Sequence, residues 1–305
     1  MRAIFGETIT KLGEANEDIV VLTADVAKPT NVFAFAQQHP DRFFNVGISE
    51  QDMIGIAAGF SLSGSIPIVA VFAPFLMRAW EQIRSTVARA GLNVKMVGTH
   101  AGLSASEEGS SHQSLEDVAL MRVLPNVTVV VPGDRREIAE ATEAIIRLNG
   151  PAYLRLGRDE DLTFIEGESA FKLGRALTLK DGHDLAVFSN GALTPEVLNA
   201  AKNARASVKV VHVPTVKPLD RDAIISAARE TGSVVCVEEH STIGGLGGAV
   251  AELLSSEYPV AVKRIGVDDT FGESGSRMEL LRKHGLVSES ICAELEKAVR
   301  RKASC

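Results

Sequence analysis

Residues 19–72 read IVVLTADVAKPTNVFAFAQQHPDRFFNVGISEQDMIGIAAGFSLSGSIPIVAVF. Three short runs stand out in this stretch: IVVLTA (19–24), FFNV (43–46) and PIVAVF (67–72). They are largely apolar and do not alternate with polar residues, which is the pattern of strands covered on both faces and not of strands with one wet side. Between the second and third, Met53, Ile56, Ala57 and Phe60 recur at helical spacing. Strand, helix and strand in alternation predict a parallel α/β sheet.

The same alternation extends in both directions. Upstream, Phe5, Ile9 and Leu12 share a helix face that Gly13 and Asn16 close. Downstream, NVKMVG (93–98), NVTVVV (126–131) and AYLRL (152–156) read as further buried strands. Leu76, Trp80, Ile83 and Val87 mark one intervening helix. Another opens at Asp134, with Glu137 three residues on to complete a capping box. The stretch RDEDLTFIEGESAFK (158–172) is charged and has no period, so the domain boundary falls there, giving units 1–165 and 166–305. The alternation then restarts with DLAVFSN (184–190), VKVVHV (208–213), SVVCVEE (233–239) and VAVKRI (260–265). Helices fit between them, one with Thr194 as cap and Pro195 at its first helical position and one over 223–230. The predicted fold is two α/β domains, the first with a parallel sheet and the second smaller.

Composition narrows the function. Of 305 residues, 45% are hydrophobic and 23% charged, the balance of a globular protein. Thirty-two basic against 39 acidic residues, with no basic block, argue against a nucleic-acid partner. The amino-terminal segment lacks the basic and apolar regions of a signal peptide. No apolar run reaches the length of about 18 residues that spans a membrane. Cys236, Cys292 and Cys305 lack metal-type spacing and make no disulfide framework, so a reducing, cytoplasmic setting is expected.

Chemistry concentrates in a few loops that follow strands, where open α/β sheets bind ligands. GTHAGLSASEEGSSHQ (98–113) strings His100, Glu107, Glu108 and His112 along a loop rich in glycine and serine. Its residue types suit hydrogen bonding to a hydroxylated substrate. A metal held by Glu108 and His112 is disfavoured, because the glycine and serines between them oppose the helix that would align the two. Glu50 opens a helix of small and apolar residues just past a strand, where it could act either as a first-turn acid or as a poorly solvated carboxyl group. Phe72 and Phe75 sit at a strand end, where a flat heteroaromatic ring could stack. Gly244, Gly245, Gly247 and Gly248 miss the dinucleotide fingerprint, since Val250 stands where the last glycine is needed. They read as a tight turn under a closely packed helix.

Taken together, GISEQDMIGIAAG (47–59), VFAPF (71–75), THAGLSASEEGSSHQSLEDVALMRVLPN (99–126), VEEHSTIGGLGGAVAELL (237–254) and GVDDTFGESGSRMELLRKHGL (266–286) resemble the C-terminal half of transketolase. The likeness runs from Arg2 to about Leu286. It implies a pyrimidine-binding thiamine diphosphate domain followed by a transketolase C-terminal domain. It also implies transfer of a two-carbon ketol unit between sugar phosphates of the pentose phosphate pathway. By resemblance, Glu50 contacts the aminopyrimidine ring, Phe72 and Phe75 pack on that ring, and Asp25 lies near the cofactor. His100 and His112 contact sugar hydroxyls and assist proton transfer, Glu108 contacts the substrate, and Arg2 and Arg158 grip its phosphate.

Three positions depart from the family pattern. Glu108 stands where aspartate is usual, Arg78 replaces an aromatic residue and Ala101 an acidic one. The G-D-G motif that carries diphosphate and Mg²⁺ in full-length members does not occur in this sequence. The metal ligands are therefore expected from a separate N-terminal subunit, in an assembly of two copies of each chain, with none supplied here. A β subunit of a 2-oxo-acid dehydrogenase shares the glutamate and the need for a partner, but generally lacks the segment around His100.

Overall fold

The structure, a computed structural model, describes residues 1–158, 162–165 and 171–303. In chain order its first half contains α1 (Arg2–Ala15), β1 (Ile19–Thr23), α2 (Phe33–Gln38), β2 (Phe43–Asn45), α3 (Glu50–Leu62), β3 (Ile66–Phe72), α4 (Ala73–Leu76), α5 (Trp80–Gln82), β4 (Lys95–Thr99), α6 (Asp117–Arg122), β5 (Thr128–Val130), α7 (Arg135–Arg147) and β6 (Ala152–Arg155). The second half adds β7 (Leu177–Lys180), β8 (Leu185–Ser189), α8 (Thr194–Asn203), β9 (Val208–His212), β10 (Thr215–Lys217), α9 (Arg221–Thr231), β11 (Val234–Ser241), α10 (Leu246–Glu257), β12 (Val262–Val267), α11 (Arg277–Lys283) and α12 (Ser288–Ala303).

These strands form two sheets. The first has seven strands in the order β10-β5-β6-β4-β3-β1-β2, and the second five in the order β12-β11-β8-β9-β7. Every residue of β1, β4 and β8 is buried, as expected of largely apolar strands covered by helices on both faces. Alternate residues of one strand feed separate cores. Val20 and Leu22 join Val69, Val71 and Met96 on one face, whereas Ile19 and Val21 join Ile68, Ala70 and Val97 on the other.

Two strands escape the all-parallel expectation. Strand β10 belongs to the second half of the chain but pairs antiparallel with β5, so it edges the first sheet. Strand β7 pairs antiparallel with β9 and edges the second. Neither carries an apolar run.

Several local readings also need correction. The predicted capping box at Asp134 does not form, because Asp134 accepts from the Arg136 N–H at 2.9 Å while Glu137 turns back to the Gly133 N–H at 2.7 Å. A true box instead joins Ser276 and Glu279 at the start of α11. Thr194 does not cap α8, since its hydroxyl is engaged by His212 Nδ1 at 2.9 Å. The single helix expected through Leu76 and Val87 is broken into α4, a 3₁₀ turn, α5 and a π-helical turn over Ile83–Ala88.

The glycine cluster has a definite physical cause. Buried Glu238 accepts hydrogen bonds from the N–H groups of Leu246 and Gly247 at 2.7 and 2.8 Å, so a carboxylate caps α10. A Cβ on Gly245 would lie 2.1 Å from Glu238 Oε2, and one on Gly247 2.9 Å from Arg264 Cγ. The side chains that cap and cover this helix leave no room for larger residues. The domain boundary expected between 165 and 166 adjoins residues 166–170, which lie outside the described residues.

Candidate active site

In the first sheet β2 lies on one side of β1 and β3 on the other, so the chain changes direction at this point. Loops at the carboxyl ends of strands flanking such a switch diverge and leave a crevice. Asp25 follows β1, Glu50 follows β2, Phe72 ends β3, His100 follows β4 and Arg158 follows β6. Arg2 reaches the same end from the first turn of α1.

Four rings meet there. The rings of Phe72 and Phe75 stack at 5.2 Å with 15° between their planes. His100 lies on Phe72 at 3.6 Å between centroids, and His112 meets the edge of Phe75 at 5.2 Å. Phe75 and His112 remain partly exposed, so one edge of the cluster faces the surface.

His100 is 2% exposed and adopts a left-handed backbone with φ of 56°. Its Nε2 is 3.1 Å from Arg2 Nη1, and its Nδ1 is 3.0 Å from Thr99 Oγ1. A guanidinium only donates, so Nε2 accepts and the ring proton sits on Nδ1, facing the threonine oxygen. Arg2 is itself held by the Pro29 carbonyl at 2.5 Å. Burial, with the charges of Arg2, Arg158 and His112 beside it, holds the His100 pKa at about 3. The ring is therefore neutral near pH 7.

His112 belongs to a more open segment, with Nδ1 2.9 Å from the Ser111 hydroxyl. Arg158 Nη1 donates to Glu108 Oε1 at 3.2 Å, and the Arg158 backbone N–H donates to Ser104 Oγ at 2.9 Å. The segment sequence analysis reads as a loop contains helical turns over Gly102–Glu108, interrupted at Ser106 with φ of 54°.

Glu50 and Asp25 stand apart from the ring cluster. Glu50 opens α3 and is only 4% exposed, with Arg78 Nε 3.3 Å from Oε2. Arg78, one of the departures from the family pattern, thus approaches the glutamate from a largely exposed position. Asp25 is exposed, and its carboxylate accepts from Asn45 Nδ2 at 3.3 Å. Its own N–H donates back to Asn45 Oδ1 at 2.9 Å, which fixes the turn after β1.

Sequence reasoning missed a buried polar network at the carboxyl end of β6. Asp117, fully buried, receives the Tyr153 hydroxyl at 2.6 Å and Arg155 Nε at 2.8 Å. Arg155 Nη2 then donates to the carbonyls of Ser114 and Glu239 at 3.3 and 3.0 Å. The one available signal was an arginine inside the otherwise apolar run AYLRL. Thr99 and Ser104, each holding a site residue, carried no signal of their own.

A cofactor of the kind the resemblance implies can be tested against this geometry. A buried carboxyl group at a helix start and a stacked aromatic pair suit the aminopyrimidine end of thiamine diphosphate. Among the described residues, no group of three or more His, Cys, Asp or Glu side chains is arranged to hold a metal ion. No helix among them is long and apolar enough to cross a membrane.

Comparison with known proteins gives two family matches. Residues 1–161 match the transketolase pyrimidine-binding domain and residues 174–291 the transketolase C-terminal domain. A Methanocaldococcus jannaschii chain, named provisionally for a transketolase C-terminal section, is 42% identical over 99% of this chain and 96% of its own length. A 6-deoxy-6-sulfo-D-fructose transketolase subunit from a Clostridium species is 38% identical over 99% of this chain and 95% of its own. A solved structure described as a split-gene transketolase, an inactive β4 tetramer, superposes with a TM-score of 0.90 at 43% identity, covering 99% of this chain and 98% of that one.

Proposed function

The chain belongs to the transketolase family, with its pyrimidine-binding and C-terminal domains, and on that premise we propose that it is the C-terminal subunit of a split, thiamine diphosphate-dependent transketolase. It moves a two-carbon ketol unit from a ketose phosphate to an aldose phosphate, in the cytoplasm, as a step of pentose phosphate metabolism. A separate N-terminal subunit supplies the diphosphate and Mg²⁺ ligands, with two copies of each chain in the active assembly. The two domains divide at residue 165, between the two matched segments. The observation that carries this reading is the cluster of Phe72, Phe75, His100 and His112 beside Arg2, at the same carboxyl ends of the sheet strands that buried Glu50 follows. A relative of similar length described as an inactive β4 tetramer supports the need for a partner.

Thiamine diphosphate, held at its aminopyrimidine end by Glu50, Phe72 and Phe75, would supply the nucleophilic and electron-sink chemistry that ketol transfer needs. The residues of this chain do the rest. Glu50 shares a proton with the aminopyrimidine ring, a task suited to a carboxyl group with little water around it. For Glu50 to reach that ring, Arg78 must swing aside, and its exposure leaves it free to do so. Phe72 and Phe75 present a flat apolar wall against which the ring packs.

His112, open to the crevice, moves protons to and from substrate hydroxyls. His100 is neutral and its acceptor nitrogen is occupied by Arg2, so it positions more than it transfers. Arg158 and Arg2 hold the anionic end of the sugar, since guanidinium groups bind phosphate with paired, charge-assisted hydrogen bonds. Glu108 shares Arg158 and so adjusts where that guanidinium points. A relative named for a sulfonated ketose suggests that the anionic group need not be phosphate.

The test is reconstitution with a co-expressed N-terminal subunit and a ketol-transfer assay. Wild-type assemblies should transfer the unit, and Glu50→Gln assemblies should lose nearly all turnover while folding normally. Full activity in the glutamine variant would remove Glu50 from the chemistry.

A further inference from the structure

The segment that carries Glu108 and His112 is held at both ends by the C-terminal half of the chain. At its far end, buried Gln113 donates through Nε2 to the Ser106 carbonyl at 3.1 Å and to the Glu273 carbonyl at 2.9 Å. One amide therefore closes the segment on itself and ties it to the loop between β12 and α11. The contact is too close for side chains. A Cβ on Gly272 would lie 1.7 Å from Gln113 Oε1, and one on Gly109 would lie 2.6 Å from Ser274 Oγ.

At its near end, Gly102 has φ of 66°, and a Cβ there would lie 2.7 Å from Glu239 Oε1. Glu239, at the end of β11, is held in turn by Arg277 Nη2 at 2.6 Å. Beneath this pair, Arg155 joins the carbonyls of Ser114 and Glu239, and the Ser241 N–H donates to the Leu115 carbonyl at 2.7 Å. The segment between Gly102 and Gln113 is thus suspended between two anchors, both in the second sheet's half of the molecule.

We propose that the C-terminal domain sets the position of the substrate-binding segment 102–113 through the Gln113–Glu273 and Gly102–Glu239–Arg277 contacts, making Gly272, Glu239 and Arg277 positioning residues for the sugar. The inference rests on the proposed transketolase function for what the segment binds, but not for how the segment is held. The contacts described here fall on the two ends of the segment and not on the ring cluster or Glu50, so their effect should fall on substrate affinity and leave the cofactor end alone. Misplacing a binding group by about 1 Å is enough to change kinetics by one to two orders of magnitude.

Two substitutions probe the anchors separately. Gly272→Ala forces Gln113 aside at the far end, and Arg277→Met releases Glu239 at the near end. Hydrogen exchange of the peptide covering 102–113, measured on the full chain, should quicken in both variants while the strands of both sheets keep their protection. In the assembled enzyme, KM for both sugar substrates should rise about tenfold, with kcat within about twofold and thiamine diphosphate affinity unchanged. Arg277→Lys should restore most of the affinity. Unchanged exchange in folded variants would overturn the anchoring, and faster exchange with unchanged KM would overturn its role in positioning. An equal loss of cofactor affinity would show that the contacts serve the fold at large. Wild-type assemblies without ketol transfer would refute the function itself, and the exchange result would still decide how the segment is held.

Discussion

The site residues divide by what surrounds them. His100 has both ring nitrogens engaged and little water near it, whereas His112 keeps an open edge. His112→Ala should therefore depress turnover with cofactor binding kept, as read by steady-state kinetics alongside cofactor titration, and loss of cofactor binding would contradict a substrate-side role. Arg158→Ala should raise KM for phosphorylated sugars more than for unphosphorylated ones; an equal rise for both would remove Arg158 from anion recognition. His100 also makes an acid-stability prediction. With its pKa held at about 3 against an ordinary 6.5, the unfolded state binds the extra proton between those values. Stability should fall as pH drops through that window, and His100→Gln should flatten that part of the profile, measured as denaturant midpoints from pH 7 to 4. An unaltered slope in the variant would mean that another group titrates there. The residues proposed to bear chemistry stand out in the sequence because histidine, glutamate and phenylalanine gather just past predicted strands. Those that hold them do not: Asp117, Arg155, Thr99 and Glu239 act through contacts across 36 or more positions or through neighbours, and one sequence shows no such partners.

The strands predicted from apolar and β-branched runs are all present, including the edge strands β2 and β12, which are only partly buried. The two missed strands are edge strands of three and four residues, Thr215–Lys217 and Leu177–Lys180, too short and too polar to show an apolar run. The π-helical turn after α5 could not be read either, since a 3.6-residue period and a wider one place Ile83 and Val87 almost alike. One buried cation inside a strand is instructive. Lys95, at the start of β4, donates through Nζ to Asn93 Oδ1, the Leu148 carbonyl and the Gly150 carbonyl at 2.5, 2.6 and 2.7 Å. It fastens the entry of β4 to the turn that leads from α7 to β6. Lys95→Met keeps the length of the side chain but strands these acceptors, so it should destabilise the chain by about 1–3 kcal/mol in denaturant unfolding. A variant as stable as the wild type would mean that water replaces the ammonium group. At the other end of the same strand, a Cβ on Gly98 would lie 2.4 Å from the Tyr153 hydroxyl oxygen. Gly98 is thus what lets Tyr153 reach Asp117.

The two halves of the molecule are joined by more than a linker. Strand β10 edges the first sheet, His212 of β9 meets Glu137 of α7 at 2.9 Å with both side chains buried, and Arg155 ties α6 to the end of β11. A fragment of residues 1–165 should therefore expose the edge of β5 and self-associate on size exclusion, as unprotected strand edges do; a well-folded monomer would show that β10 is dispensable. The same joining explains how the second half of the chain can position the segment 102–113. The most direct examination of the whole scheme is calorimetric titration of thiamine diphosphate with Mg²⁺ into the purified chain, alone and with a co-expressed N-terminal subunit, followed by the ketol-transfer assay. Binding and transfer should both appear only when the partner is present. Tight binding by the chain alone, or 2-oxo-acid decarboxylation in place of ketol transfer by the assembly, would contradict a split transketolase.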